Sequence, residues 1–318
     1  VAPRGSASVE RLIEEFLAAN RHRWSPKTIE SYRWYLGDMA RRLREAHGPI
    51  PAKRVTERML LRWLDEHPRW APSTAYTAIV ACKSFFAWAV GADRSPARNL
   101  SLPKRVRPPH RLFDYPKYAR LLQALDSSTA KGRRDLAIIT LLTSSALRSA
   151  ELCRLQVRHL DLTARRLSVI CKGGKWEDRV FGQYARACLA AWLGTRDKLG
   201  LPETREEVFV SLGGNTMGRP LTTSGLRVIF RELGQKVGFH FSPHDFRHTF
   251  ATWGIRNGGP TLVIGRAGGW GSVHEVETRY AQTITAKDME PYDPVDRFME
   301  TMAADLTTPV ERLIAGRQ

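Results

Sequence analysis

The strongest constraint on this chain is a break in its pattern. Residues 91–109, GADRSPARNLSLPKRVRPP, set four prolines and five basic residues where bulky apolar side chains are scarce. Proline fixes φ and removes a backbone donor, so such a run cannot continue a helix or occupy a central strand. It reads as an extended cationic linker between two separately folding units. The 318-residue length agrees, since each side then has enough chain to bury its own core. The expected division is 1–92, a helical unit; 93–111, the linker; 112–285, a second, mostly helical unit; and 286–318, a tail.

Before the linker the pattern is helical almost throughout from Val9 to about Ala92. Ser25 is an N-cap with Pro26 at the first helical position, and Ile29, Tyr32, Leu36, Met39 and Leu43 follow at helical spacing. Arg33, Arg41, Arg42 and Arg44 cover the other faces, and two more helices are expected around Glu57–Glu66 and Ser73–Val90. After the linker, helices are expected near Tyr115–Leu125 and Arg134–Leu142. Leu160–Leu162 and Leu167–Cys171 read as strands, Gly173-Gly174 as a turn and Arg179–Phe181 as the returning strand. Beyond that the chain reads as mostly helical to its end. The fold class is therefore mainly α with one small antiparallel β-hairpin or sheet, and neither an internal repeat nor βαβ alternation is present.

Charge narrows the partner. The chain has 50 Lys+Arg against 32 Asp+Glu, a net +18 with a pI near 10.3. Residues 1–110 hold 20 basic and 10 acidic side chains, whereas residues 286–318 hold 4 and 7. Both units are basic and the tail is not, which disfavours a single membrane-surface arm and favours a polyanion gripped by two units, nucleic acid first. Arg33, Arg41, Arg42 and Arg44, with Lys104, Arg105 and Arg107 of the linker, are the candidate phosphate contacts. No uninterrupted apolar run reaches the roughly 18 residues of a membrane helix, and the N-terminus lacks a secretion signal's apolar core. Cys82, Cys153, Cys171 and Cys188 form no CxxC pair and read as free thiols. A soluble cytoplasmic protein without membrane contact is expected.

Four segments could carry chemistry, and each also has a plain structural reading. In SSALRSAEL, Arg148 and Glu151 sit three apart, as an ordinary surface ion pair would. Lys172 lies in CKGGK, which could equally be a turn with solvated lysines. In SPHDFRHTFAT, Ser242 caps, Pro243 opens the helix and Asp245 suits its positive end, so His244 and Arg247 share the first turn; this is either a capped helix or a phosphate site. His244 and His248 lack the acidic or Cys partners of a metal set. Trp270 in AGGW and Tyr280 are each plausible core residues.

Taken in order, Arg148, Lys172, His244-x-x-Arg247, Trp270 and Tyr280 resemble the tyrosine recombinase (phage integrase) family. ALRSAEL is similar to its first-arginine motif, CKGGK to its hairpin lysine, HDFRHTFAT to its most recognisable box, and AGGW to a Trp-bearing form of its Gly-His/Trp box. Trp270 precedes Tyr280 by ten residues, one more than the commonest family spacing. Tyr292, in the acidic EPYDP context, is the poorer nucleophile.

The resemblance covers nearly the whole chain and implies a SAM-like core-binding domain followed by a catalytic domain. It also implies a Cre/Xer-like simple member without a separate arm-binding domain. Arg148 and Arg247 would clamp the non-bridging oxygens of a DNA phosphodiester, with His244 and Trp270 adding donors and His244 assisting proton transfer. Tyr280 would attack phosphorus, Lys172 would protonate the departing 5′ oxygen, and Glu151 would support the arginines. The product would be a 3′-phosphotyrosyl link, made without metal, ATP or other cofactor. The implied partners are double-stranded DNA with a specific recombination site and further copies of the chain, four on two sites. The tail's Val295, Phe298, Met299 and Met302, at helical spacing, would dock on a neighbouring protomer or on their own domain. A type IB topoisomerase-like enzyme and a non-catalytic DNA-binding relative are the alternatives.

Overall fold

The computed structural model describes residues 7–104, 113–171 and 174–280, and the chain divides after Pro109 into two compact units. The first contains α1 (Val9–Ala19), α2 (Pro26–His47), α3 (Glu57–Asp65) and α4 (Pro72–Val90). Helix starts follow local chemistry: Ser8, Ser25 and Thr56 side chains accept from the backbone N–H of Arg11, Thr28 and Met59, and Pro26 and Pro72 open α2 and α4. Leu12, Phe16, Leu36, Met39, Leu60, Trp63, Phe85 and Phe86 form the core of this bundle.

One polar hub ties α2 to α3. The Asp38 carboxylate, 12% exposed, accepts from Trp63 Nε1 at 2.9 Å and Arg41 at 2.6 Å, and lies 2.7 Å from His67 Nε2. The His67 ring stacks on Trp70 with centroids 4.0 Å apart. Burial pushes the Asp38 pKa up, but the hydrogen bonds from Trp63, His67 and Arg41 outweigh it and hold the group below its ordinary value. A carboxylate depressed on folding stabilises above its unfolded pKa, and that contribution is lost as pH falls through the folded value. Asp38→Asn is therefore expected to destabilise the first unit by on the order of 1–3 kcal/mol at neutral pH, and by progressively less in acid; chemical denaturation at pH 7 and pH 3 measures both.

The second unit holds α5 (Tyr115–Gln123), α6 (Ala130–Ser145), α7 (Ser149–Arg154), β1 (Leu160–Asp161), β2 (Arg166–Ile170) and β3 (Trp176–Val180). These are followed by α8 (Gln183–Arg196), α9 (Thr223–Val237), α10 (Pro243–Arg256), α11 (Thr261–Gly268) and α12 (Val273–Tyr280). Helix α6 is the central element: Ala137, Ile138, Ile139, Leu141 and Leu142 are all buried, with α8 and α10 packed against it. An aromatic cluster of Phe113, Phe230, Phe241 and Phe246 anchors α10, with Phe113 stacked on Phe246 at 4.7 Å.

The antiparallel sheet runs β1-β2-β3. The returning strand begins at Trp176, three residues before the expected Arg179, because Cys171 N–H donates to Lys175 O at 2.7 Å and closes the turn early. Leu167 pairs with Arg179 and Val169 with Glu177, so the inward face carries two apolar residues on β2 and an opposite-charge pair on β3. Residues 201–222 hold no α-helix, only a 3-10 turn at Gly214–Thr216; within them Val210 bridges to Pro220, and Glu207 bridges to Gln156. Among the described residues no helix is long and apolar enough to cross a membrane.

Candidate active site

Three guanidinium groups converge on the C-terminal end of α11. A helix leaves its last carbonyls without intrahelical partners and carries partial negative charge there, so cations are favoured. Arg247 Nη1 donates to Gly268 O at 2.5 Å, and Arg247 Nη2 to Gly269 O at 3.3 Å. Arg148 Nη2 donates to the same Gly269 O at 3.1 Å. Arg179 Nη1 donates to Arg266 O at 3.1 Å and Ala267 O at 3.0 Å. Arg148 and Arg247, far apart in the chain, thus meet on one oxygen atom.

Each arginine is held from behind. Arg148 is the residue just before α7 rather than part of it; its backbone N–H donates to Glu151 Oε2 at 2.8 Å and its Nη1 to Glu151 Oε1 at 2.7 Å. Burial would raise the Glu151 pKa, but these bonds and the Arg148 charge keep it below its ordinary value, so it stays an anion. Arg247 Nη1 also donates to Ala146 O at 2.6 Å. Ala146 has φ 51°, a left-handed conformation that a non-glycine residue adopts at a cost, and it directs that carbonyl to the guanidinium. Burial first, then the neighbouring Arg148 and Arg179 charges, push the Arg247 pKa down to about 10. Arg247 remains charged at neutral pH, in a place where it gains from an added anion.

Aromatic groups complete the site. The Trp270 ring lies under the Arg247 guanidinium at 4.0 Å, a cation–π contact, and edge-on to the Tyr280 ring at 5.9 Å. Tyr280 is fully buried, and its hydroxyl lies 2.6 Å from His248 Nδ1. His244 is exposed on the first turn of α10, its ring 4.4 Å from that of His248. Ser242 N–H donates to Asp245 Oδ2 at 2.7 Å, fixing that turn. His244 and Arg247 leave the same turn but lie at different depths, the first at the surface and the second buried.

The two glycines are needed where they stand. A Cβ on Gly268 would lie 1.6 Å from the Trp270 ring, and one on Gly269, which has φ 64°, would lie 1.9 Å from Arg179 Nη2.

The sequence pattern of the Phage integrase family matches residues 112–286, and that of the phage integrase N-terminal SAM-like domain matches residues 13–93. The chain belongs to the phage integrase family. This tyrosine recombinase is 30% identical over 266 residues to the tyrosine recombinase XerC of Xanthomonas campestris pv. campestris (strain B100), covering 80% of this chain and 79% of that protein. It is 27% identical over 259 residues to XerC of Xylella fastidiosa (strain 9a5c), covering 79% and 85%. In fold it resembles the XerH site-specific recombinase bound to difH substrate in a pre-cleavage complex, with a TM-score of 0.68, 15% identity and coverage of 91% and 96%. The recombinase also resembles in fold a lambda integrase dimer bound to a COC′ core site, with a TM-score of 0.67, 15% identity and coverage of 87% and 78%. It is a site-specific recombinase enzyme.

Of the candidate residues in this recombinase, Arg148, Glu151, Arg247, Trp270 and Tyr280 come together directly, with His244 at the rim. Lys172, Arg105, Arg107 and the tail 286–318 lie outside the described residues. Among the first unit's arginines, Arg33 pairs with Glu14, Arg41 with Asp38 and Glu45, and Arg42 with Asp38 and Glu66, while Arg44 and Lys104 are exposed. The exposed pairs of Arg33 with Glu14 and Arg41 with Glu45 are worth about 0–1 kcal/mol each and exchange readily for phosphate contacts, whereas those to Asp38, 12% exposed, belong to the polar hub. Two further residues, Arg179 and His248, belong to the site. In the sequence Arg179 is only a charged strand residue; its inward position follows from the pairing with Leu167, which the structure sets. His248 stands in the sequence only beside His244 in an incomplete metal set, and nothing local points to its contact with Tyr280.

Proposed function

We propose that this chain cuts and rejoins DNA strands through Tyr280, forming a 3′-phosphotyrosyl intermediate at a specific duplex site. The observation that carries the reading is the meeting of Arg148 and Arg247 on Gly269 O, with Trp270 between Arg247 and Tyr280. A phosphodiester resists attack because its oxygens are anionic and its transition state gathers further charge on them. Two planar donors, both charged at neutral pH and fixed side by side, offset that charge. In the step itself the Tyr280 oxygen bonds to phosphorus, the bond from phosphorus to the 5′ oxygen breaks, and the 5′ oxygen leaves protonated. Lys172, by its likeness to the family's hairpin lysine, supplies that proton, and His244 adds a donor at the rim.

The free 5′-hydroxyl of one duplex then attacks the phosphotyrosine of another, restoring Tyr280. One phosphodiester replaces another, so the exchange needs no ATP. The charge is handled by the arginines rather than by a metal ion. Exchange between two duplexes requires several protomers, which fits four copies on two sites. The basic residues of the first unit and linker, Arg33, Arg41, Arg42, Arg44, Lys104, Arg105 and Arg107, supply sequence-independent phosphate contacts.

The test uses nicked duplexes enriched from a randomised library by gel shift with this chain. The wild type is expected to form a detergent-stable adduct with them. Tyr280→Phe is expected to bind equally and form none; an adduct in Tyr280→Phe would overturn the assignment.

A further inference from the structure

We propose that His248, the residue following Arg247, is the group that takes the phenolic proton of Tyr280 during strand cleavage. This rests on Tyr280 being the nucleophile, as argued above. His244, which the family resemblance makes the proton-transfer residue, is exposed at the rim, whereas the Tyr280 hydroxyl lies 2.6 Å from His248 Nδ1. Both partners are buried, with His248 3% and Tyr280 0% exposed. The surroundings are fixed: the His244 ring stands 4.4 Å from His248, Arg247 precedes it in the chain, and Trp270 packs edge-on to Tyr280.

The chemistry balances without a further reactant. Neutral imidazole protonated at Nε2 presents a bare Nδ1, to which the phenol donates. As the Tyr280 oxygen bonds to phosphorus its O–H bond breaks, and the proton moves to Nδ1, giving an imidazolium. On rejoining, the phosphotyrosyl bond breaks and the same proton returns to the phenolic oxygen. A phenol of ordinary pKa about 10 is a weak acid beside an imidazole of about 6.5. Transfer therefore becomes favourable only as the oxygen gives its electrons to phosphorus, which is the condition for general base catalysis.

Three results test this. In the DNA-free wild type, nitrogen NMR of the imidazoles is expected to show His248 Nδ1 unprotonated; a proton on Nδ1 would overturn the proposal without any variant. His248→Asn keeps an amide near the Nδ1 position to hold the phenol but cannot take its proton. With the enriched nicked duplexes it is expected to lower the rate of adduct formation by on the order of 10²-fold or more, with DNA affinity and melting temperature retained. Placing a ring-fluorinated tyrosine at position 280, whose phenol is more acidic, is expected to restore most of that loss in His248→Asn. Wild-type rates in His248→Asn, or a loss that fluorination leaves unchanged, would assign His248 a packing role only. If instead the wild type forms no adduct, or Tyr280→Phe forms one, it is the nucleophile assignment that fails.

Discussion

Arg247→Lys is expected to slow adduct formation by on the order of 10²- to 10³-fold while changing DNA affinity only a few-fold. Lysine keeps the charge, so the loss isolates geometry. The Arg247 guanidinium is oriented by three carbonyl oxygens, those of Ala146, Gly268 and Gly269, and by the Trp270 ring under it. A tetrahedral ammonium cannot meet that planar arrangement and present a fork to phosphate at the same time. Affinity holds because most of it comes from phosphate contacts elsewhere. Single-turnover adduct formation beside gel-shift titration separates the two quantities. Equal losses in both would mean that Arg247 contributes only to ground-state binding. Because the Arg247 pKa is pushed down to about 10, its contribution in the free protein is fully present below that value and fades as pH rises through it.

Gly269→Ala is expected to be nearly as damaging, for a reason that involves no substrate contact. The residue must hold φ 64°, and the added methyl would sit 1.9 Å from Arg179 Nη2. Arg179 cannot withdraw easily: it is 1% exposed, donates to Arg266 O and Ala267 O, and pairs with Glu177 at 2.6 Å. Either the end of α11 or the guanidinium must shift. The strain is expected to cost on the order of 2–3 kcal/mol, read as a lowered melting temperature. Since Arg148 and Arg247 both donate to Gly269 O, either shift also separates the arginines, and adduct formation is expected to fall with stability. Adding Arg179→Met removes the clash but leaves the backbone strain, so the double variant should be more stable than the two separate losses would sum to. Unchanged melting and activity in Gly269→Ala would show that the end of α11 yields freely.

Much of this molecule is written in short-range signals. Ser25 with Pro26, and Ser242 with Pro243 and Asp245, start helices through contacts spanning three residues, and both helices begin where those residues stand. The chain divides after Pro109, but the expected linker is not extended from residue 93: a short 3-10 turn spans Ala92–Arg94, and Ala97 and Leu100 are buried in the first unit's core, a packing that Pro96 and Pro103 do not reveal. The motif order Arg148, His244, Arg247, Trp270, Tyr280 was legible for a different reason: the family likeness carries long-range information that no local pattern contains.

The contacts that sharpen the site belong to another class. Arg179 reads as an ordinary charged strand residue until β3 pairs with β2 and turns it inward against the end of α11, 87 and 88 residues further on. His248 and Tyr280 stand 32 residues apart on α10 and α12, and their 2.6 Å contact exists only because those helices pack together with α11. Helix caps follow from interactions within one turn of backbone, so residue identity suffices to place them. A buried cation or a proton acceptor depends on which carbonyls and rings distant segments bring to it, and that is set by packing.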